Sequence, residues 1–237
     1  MISDFAQVNV KYFRQNFIIP FVMSDLNTKQ KILNASIQLF NEKGMANVRL
    51  QQIAKEIGIS PGNLAYHFRN KEAIIEAINE ELYQEANDIL STYRLYPNLM
   101  DFDNQLTKYF SFIQKYPFYF LDLLEIQRHY PKIRSKRQIH ISKMISQIRK
   151  RFDFNNQRGL VIDEPRTGVY DDIANAIWVI ITFWVPQNLV RGTEQTMDVK
   201  RFKEMVWNQM YPYFTKDGIA EFEQLIRPML RQHSSDN

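Results

Sequence analysis

Residues 49–68, RLQQIAKEIGISPGNLAYHF, hold two short apolar-periodic stretches separated by a single glycine, and they constrain this chain more than any other segment. Leu50, Ile53, Ala54 and Ile57 recur at helical spacing, which predicts a short helix over Arg49–Ile57 with one apolar face. Gly58 supplies the left-handed position that ends such a helix, and Ile59 plugs the turn. Ser60 followed by Pro61 starts the next one: the hydroxyl can cap free backbone N–H groups, and proline loses nothing at a first helical position. In that second helix Leu64 and Phe68, four apart, face inward, leaving Gly62, Asn63, Ala65, Tyr66 and His67 outside, with His67 at the border of the core. Two short helices joined by a tight glycine turn form a helix-turn-helix, whose second helix suits the major groove of DNA.

The surrounding residues extend the pattern. A first helix over about Thr28–Lys43 carries Ile32, Leu33, Ala35, Ile37, Leu39 and Phe40 as its core stripe, and Asn70 caps a fourth that begins at Lys71. Residues 28–75 resemble the DNA-binding domain of the TetR family of bacterial transcriptional regulators. The resemblance rests on the first helix ending at Phe40 and Gly44, then Ile53-Ala54, Gly58-Ile59-Ser60, Gly62-Asn63-Leu64, Tyr66-His67-Phe68 and Asn70-Lys71-Glu72. It covers about a fifth of the chain, and its joint spacing is far more specific than a lone helix-turn-helix.

The resemblance implies an all-α protein in which a three-helix DNA-binding head, residues 24–70, precedes a larger helical body, 71–232, that binds an effector and dimerises. It implies a homodimer whose recognition helices enter successive major grooves of a palindromic double-stranded operator, about 34–36 Å apart. The residues it directs to DNA are Arg49, Gln51, Ser60, Gly62, Asn63, Ala65, Tyr66, His67 and Lys71, the lysine meeting a phosphate at the start of the fourth helix. Two positions depart from the family: Arg49 stands where threonine is usual and Ala65 where tyrosine is usual. Arginine can replace a threonine–phosphate bond with a charged one, whereas Ala65 gives up a phosphate contact and can touch a thymine methyl instead.

Charge is compatible with nucleic acid. The 237 residues carry a formal net charge of +4. Residues 24–75 alone hold seven Lys/Arg against four Asp/Glu, so most of the excess sits in this fifth of the chain. The absence of cysteine rules out a disulfide framework and thiolate ligands, and four histidines without cysteine argue against a transition-metal sensor. There is no Gly-rich phosphate loop, HExxH or Gly-x-Ser-x-Gly, so neither an enzyme nor a bound cofactor is expected. The longest apolar run, Ala174–Pro186 broken by Asn175 and Thr182, falls short of the ~20 residues of a membrane span. The apolar cluster Phe17–Val22 lacks a signal cleavage site, and a cytoplasmic location is expected. Residues 1–23 read as an N-terminal extension, expected to be poorly ordered, with an arm that packs on the head or reaches DNA through Lys11 and Arg14 as the other reading.

Beyond the fourth helix, which holds period to about Tyr93, the sequence predicts a loop over Arg94–Asp103. Helices follow over about Asn104–Lys115, Phe118–His129 and Pro131–Phe152, then a loop over Asn155–Gly168. An almost wholly apolar helix, Val169–Val190, and a last pair over Asp198–Phe214 and Asp217–Arg231 bring the total to about nine. Aromatics crowd the Asn104–His129 region, where the family walls its ligand cavity. Tyr109, Phe112, Tyr116 and Phe120, with Trp178, are the pocket candidates, and the phenols of Tyr109, Tyr116 and Tyr119 are its polar groups. Nine Lys/Arg and no acid between Ile126 and Phe152 read either as a solvated face or as a receptor for an anion. The effector expected is therefore a small lipophilic compound that can carry an acidic end, such as a fatty-acid derivative. By position, Trp178, Ile181, Trp184, Val185 and Met205 are the dimer-interface candidates. The function expected is a ligand-released repressor. The alternative is a DNA-tethering helical module answering to a protein partner.

Overall fold

A computed structural model describes residues 27–92, 97–192 and 198–231. The extension at 1–23 lies outside the described residues. The fold is all-α: among the described residues no strand forms, and Val161 and Phe214 make one isolated antiparallel bridge. Twelve α-helices are present there, against about nine expected; the predicted helices Phe118–His129 and Asp217–Arg231 are each broken in two.

The chain packs as two compact units. One is the described part of Met1–Glu85 together with Gln114–Arg134; the other is Ala86–Ile113 together with the described part of Ser135–Asn237. In the first, α1 (Thr28–Lys43) starts where Asn27 Oδ1 accepts the Gln30 N–H at 2.9 Å, and it ends at Gly44, whose φ of +76° a side chain would resist. A 3₁₀ turn, Met45–Asn47, leads to α2 (Leu50–Glu56) and α3 (Pro61–His67). Ile32, Phe40, Ile53, Ala54, Leu64 and Phe68 are buried as one apolar set. The cap predicted at Asn70 is present, its Oδ1 accepting the Ala73 N–H at 2.9 Å as α4 (Lys71–Thr92) begins. Also in this unit are α6 (Pro117–Leu121) and α7 (Leu123–His129), where a single helix was expected.

Three helices differ in length from expectation. The loop predicted to Asp103 ends sooner, since α5 runs Leu99–Lys115: Asn98 Oδ1 caps the Asp101 N–H at 2.8 Å, and Leu99 and Phe102 carry the apolar stripe back one turn. The helix from Pro131, α8, continues to Gln157, with Asn155 buried and bonded to the Arg151 carbonyl at 2.8 Å. The last segments resolve into α10 (Val199–Met210), a 3₁₀ turn over Tyr211–Tyr213, α11 (Lys216–Leu225) and α12 (Arg227–Arg231).

The second unit is built on α9 (Val169–Arg191) and α10. Phe202 packs its ring against Trp184 at 5.4 Å and against Phe110 at 5.3 Å, and Trp207 meets both Phe102 and Phe222 at 5.3 Å. Buried charge inside this core is paired. Asp103 accepts from Lys203 Nζ at 2.6 Å and from the Trp207 indole at 3.1 Å, while Arg151 donates to Asp101 at 3.1 Å and to Gln105 at 2.9 Å. As a helix of 23 residues, α9 is long and apolar enough to cross a bilayer by length and composition, although the uninterrupted run within it is not; apolar helices in water-soluble cores have the same property.

Candidate nucleic-acid interface

The second helix of the helix-turn-helix, α3, is fixed from behind and bare in front. Ser60 Oγ accepts the Asn63 N–H at 3.1 Å, Pro61 opens the first turn, and the Phe68 N–H closes the last on the Leu64 carbonyl at 2.8 Å. Gly58, at φ +70°, lets the Ile59 N–H reach the Ala54 carbonyl at 3.0 Å, so the turn between α2 and α3 is held by the backbone. Leu64 and Phe68 are buried, whereas Gly62, Asn63 and Ala65 are exposed and Tyr66 is 86% exposed. His67 is half-buried, its ring 5.3 Å from Tyr66 in an edge-on arrangement that braces the phenol. Arg49, Gln51 and Ser60 are exposed as well. The Arg49 N–H is held by Gln52 Oε1 at 2.7 Å, which leaves its guanidinium outside the cap.

Lys71 is differently disposed. Its ammonium donates to the Met45 carbonyl and, at 3.4 Å, to that of Ala46, and it lies 5.9 Å from the centre of the Phe40 ring. Burial lowers its pKa, opposed by Glu72 and Asp122. On the other side of the same residue, the Met45 N–H donates to Asp122 Oδ2 at 2.9 Å. Nothing in the local sequence around Asp122 signals a bond to a residue 77 positions away.

The pocket candidates divide between the units. In the first, Tyr116 and Phe120 are buried. Tyr116 donates its hydroxyl to Glu85 at 2.9 Å, and burial and that carboxylate push its pKa well up. Tyr119 donates to Tyr83 at 3.3 Å, which in turn donates to the Ile133 carbonyl at 2.9 Å. In the second unit Tyr109 and Phe112 are buried neighbours, their rings 6.2 Å apart, and Trp178 is half-buried. The Tyr109 hydroxyl lies 2.9 Å from His140 Nε2, and burial, with Arg137 and Lys143, pushes that imidazole down to about 4. His140 thus lies beside a pocket candidate. The basic run around it is not one uniform solvated face: Arg137 and Arg151 are buried, and Arg149 pairs with Asp153, Glu164 and Asp171.

The dimer candidates differ in burial. Ile181, Trp184 and Val185 are 3%, 2% and 0% exposed, covered by their own chain. An all-round apolar helix gives no sign in its sequence of which side its own subunit covers. The less covered side carries exposed Ala176, Val179 and Val190 with half-buried Ile173, Ile180 and Phe183; Trp178 and Met205 are half-buried too. Among the described residues no three His, Cys, Asp or Glu side chains are grouped to hold a metal.

The bacterial regulatory proteins of the tetR family match this chain by profile over residues 32–78, and the bacterial transcriptional repressor profile of TetR matches residues 80–222. Together these span the helix-turn-helix and more than half of the chain. The protein belongs to the TetR family. Among curated TetR-like relatives, the HTH-type transcriptional regulator UidR of Escherichia coli (strain K12) is 39% identical over 67 residues, 28% of this chain and 33% of UidR. The matched stretch therefore spans about a third of that relative's length. The biofilm operon icaADBC HTH-type negative transcriptional regulator IcaR of Staphylococcus aureus (strain Newman) is 30% identical over 102 residues, 43% of this chain and 49% of IcaR. The structure of a TetR-family transcriptional regulator from Marinobacter aquaeolei VT8 superimposes with a TM-score of 0.72 at 27% identity, covering 84% of this chain and 99% of that one. The protein is accordingly a TetR-family transcriptional regulator.

Proposed function

We propose that the protein is a cytoplasmic repressor that holds a palindromic operator as a homodimer and leaves it when a small lipophilic effector with an acidic end binds. The observation that carries the operator reading is the polarity of α3: Leu64 and Phe68 are buried behind it, and Tyr66 stands 86% exposed in front among Gly62, Asn63 and Ala65. A phenol can donate and accept at base edges, and small neighbours let the helix approach the groove closely. IcaR is a negative regulator, which favours repression over activation.

The less covered stripe of α9 supports the dimer. Residues 173, 176, 180 and 183 follow the three-four spacing of a helix seam, which Gln187 interrupts before Val190, and apolar groups there gain by pairing. For the effector, the support comes from the second unit. A phenol hydrogen-bonded to a neutral imidazole, with the Arg137 guanidinium near enough to depress that imidazole, is a setting in which a carboxylate is welcome and an apolar tail can lie against Tyr109 and Phe112. Release follows if the compound favours a conformation with low DNA affinity, since equal affinity for both states shifts nothing.

The test is selection of bound duplexes from a random pool with the full chain, followed by titration of the selected operator with saturated fatty acids of graded length. Enrichment of a palindrome, and loss of binding at low fatty-acid concentration with a rise in melting temperature, are expected. A pool without palindromic enrichment overturns the operator reading. Release by small hydrophilic solutes or metal ions, with none by fatty acids, overturns the effector reading.

A further inference from the structure

The geometry points to Asp122 as a positioning residue for DNA binding: from the junction of α6 and α7 it holds the Met45 turn, and thereby sets the start of α2, while touching no DNA itself. This rests on the operator reading above.

Three observations carry it. Asp122 occupies the N-cap position of α7, where an aspartate ordinarily turns its carboxylate onto the first free N–H groups of its own helix. Here it makes no such bond. Its backbone serves both helices, the N–H donating to the Phe118 carbonyl at 2.8 Å and the carbonyl accepting from Ile126 at 2.9 Å, and its carboxylate goes instead to the Met45 N–H at 2.9 Å. Burial raises the pKa of this carboxyl, and the Met45 N–H and the Lys71 ammonium oppose that rise, so the turn is what makes the carboxylate tenable there.

The second observation is the turn itself. Met45–Asn47 has one long-range backbone bond on each side of Met45, the N–H to Asp122 and the carbonyl to Lys71. Buried Val48 follows, then Arg49, the N-cap of α2, with Gln51 in its first turn. A shift of Met45 is transmitted along the chain to both exposed side chains, four and six residues on.

The third is the double demand on Lys71. An ammonium with two of its three N–H groups on the Met45 and Ala46 carbonyls has one left for a phosphate, and a lysine that reaches further out toward the phosphate gives up those carbonyls. When it does, Asp122 is the group that still holds Met45. The carboxylate keeps the turn in register while the lysine changes partner.

The test uses the full chain with two variants, Asp122→Asn and Asp122→Ser. Asparagine retains an oxygen at the right reach to accept the Met45 N–H. Serine can still cap α7, keeping the helix, but its hydroxyl is one bond short of Met45. Operator and random-duplex affinities are measured by fluorescence anisotropy over a salt series, with melting temperatures in parallel. Asp122→Ser is expected to weaken operator binding about tenfold, the value of one charged hydrogen bond. It should lower the operator-to-random ratio and leave the salt slope unchanged, since no phosphate contact is lost. Asp122→Asn should stay within about threefold of wild type. Asp122→Ser binding as wild type does, or Asp122→Asn as weak as Asp122→Ser at equal melting temperature, overturns the proposal alone. Wild-type protein that prefers no sequence overturns the operator reading and this proposal with it. If Asp122→Ser fails to fold, hydrogen exchange at the Met45 amide in Asp122→Asn decides: protection as in wild type supports the bond, and free exchange with unchanged operator affinity overturns it.

Discussion

The side-chain amide of Asn41 donates to the carbonyl of Lys115 at 3.1 Å, and its oxygen accepts the Phe118 N–H at 3.2 Å. One residue of α1 thus satisfies two backbone groups at the break between α5 and α6, next to the edge-on pair of Phe40 and Phe118 at 5.5 Å. Asn41→Ala leaves both groups unpaired in a part-buried site and is expected to cost about 1–3 kcal/mol. In a chain of this length that is roughly 2–4 °C of melting temperature for each kcal/mol, readable by calorimetry.

Tyr66→Ala should leave the melting temperature unchanged, because a side chain 86% exposed contributes little to folding. It should cost about 1–3 kcal/mol in operator affinity and flatten base preference. Lys71→Ala should instead weaken binding to every duplex and lower the salt slope by about one. Because it also frees the Met45 and Ala46 carbonyls, it should lower stability as well, which separates the two variants in one thermal scan.

On α9 the two sides should respond differently to charge. Ile180→Glu or Phe183→Glu, on the less covered side, is expected to yield folded monomers by sedimentation equilibrium. Trp184→Glu, 2% exposed, should yield unfolded or insoluble protein, because a carboxylate would replace a core indole packed on Phe202. A soluble, unaltered dimer from both seam variants would remove α9 from the interface.

His140 predicts a pH dependence. Its folded-state pKa of about 4 lies below the ordinary 6.5, so the native state resists a proton that the unfolded chain accepts. Stability from this group is complete above pH 6.5 and falls as pH drops toward 4, by roughly 3 kcal/mol in all. Urea midpoints between pH 4 and 7.5 should show the loss. His140→Gln, which keeps a partner for the Tyr109 hydroxyl, should flatten the curve in that window.

Local signals in the sequence proved dependable where a residue acts on its own neighbours. Thr28–Lys43, the glycine turn at Gly58, the Ser60-Pro61 start and the Asn70 cap are each decided within four residues of chain, and each is where its pattern places it. The early start of α5 was legible too, had Asn98 been weighed as a cap. Elsewhere the deciding partner is remote. The break between α6 and α7 falls at an aspartate whose carboxylate goes to Met45, and the inward side of α9 is selected by Phe202 and its neighbours on α10. Lys71 was legible as a cation at a helix start, but its present partners, two carbonyls of the Met45 turn, are a property of the fold.

The helix-turn-helix does not complete its own packing: Phe118 and Asp122, from the middle of the chain, finish what Phe40 and Met45 begin. On the ribosome the first three helices emerge well before these supports, so the head must wait, half-buttressed, for α6 and α7 to be synthesised. A fragment cut after α4 would carry every residue proposed to face the groove and lack the clasp on its turn. For the same reason, a chimera that grafts this head onto another body should transplant residues 114–134 along with it.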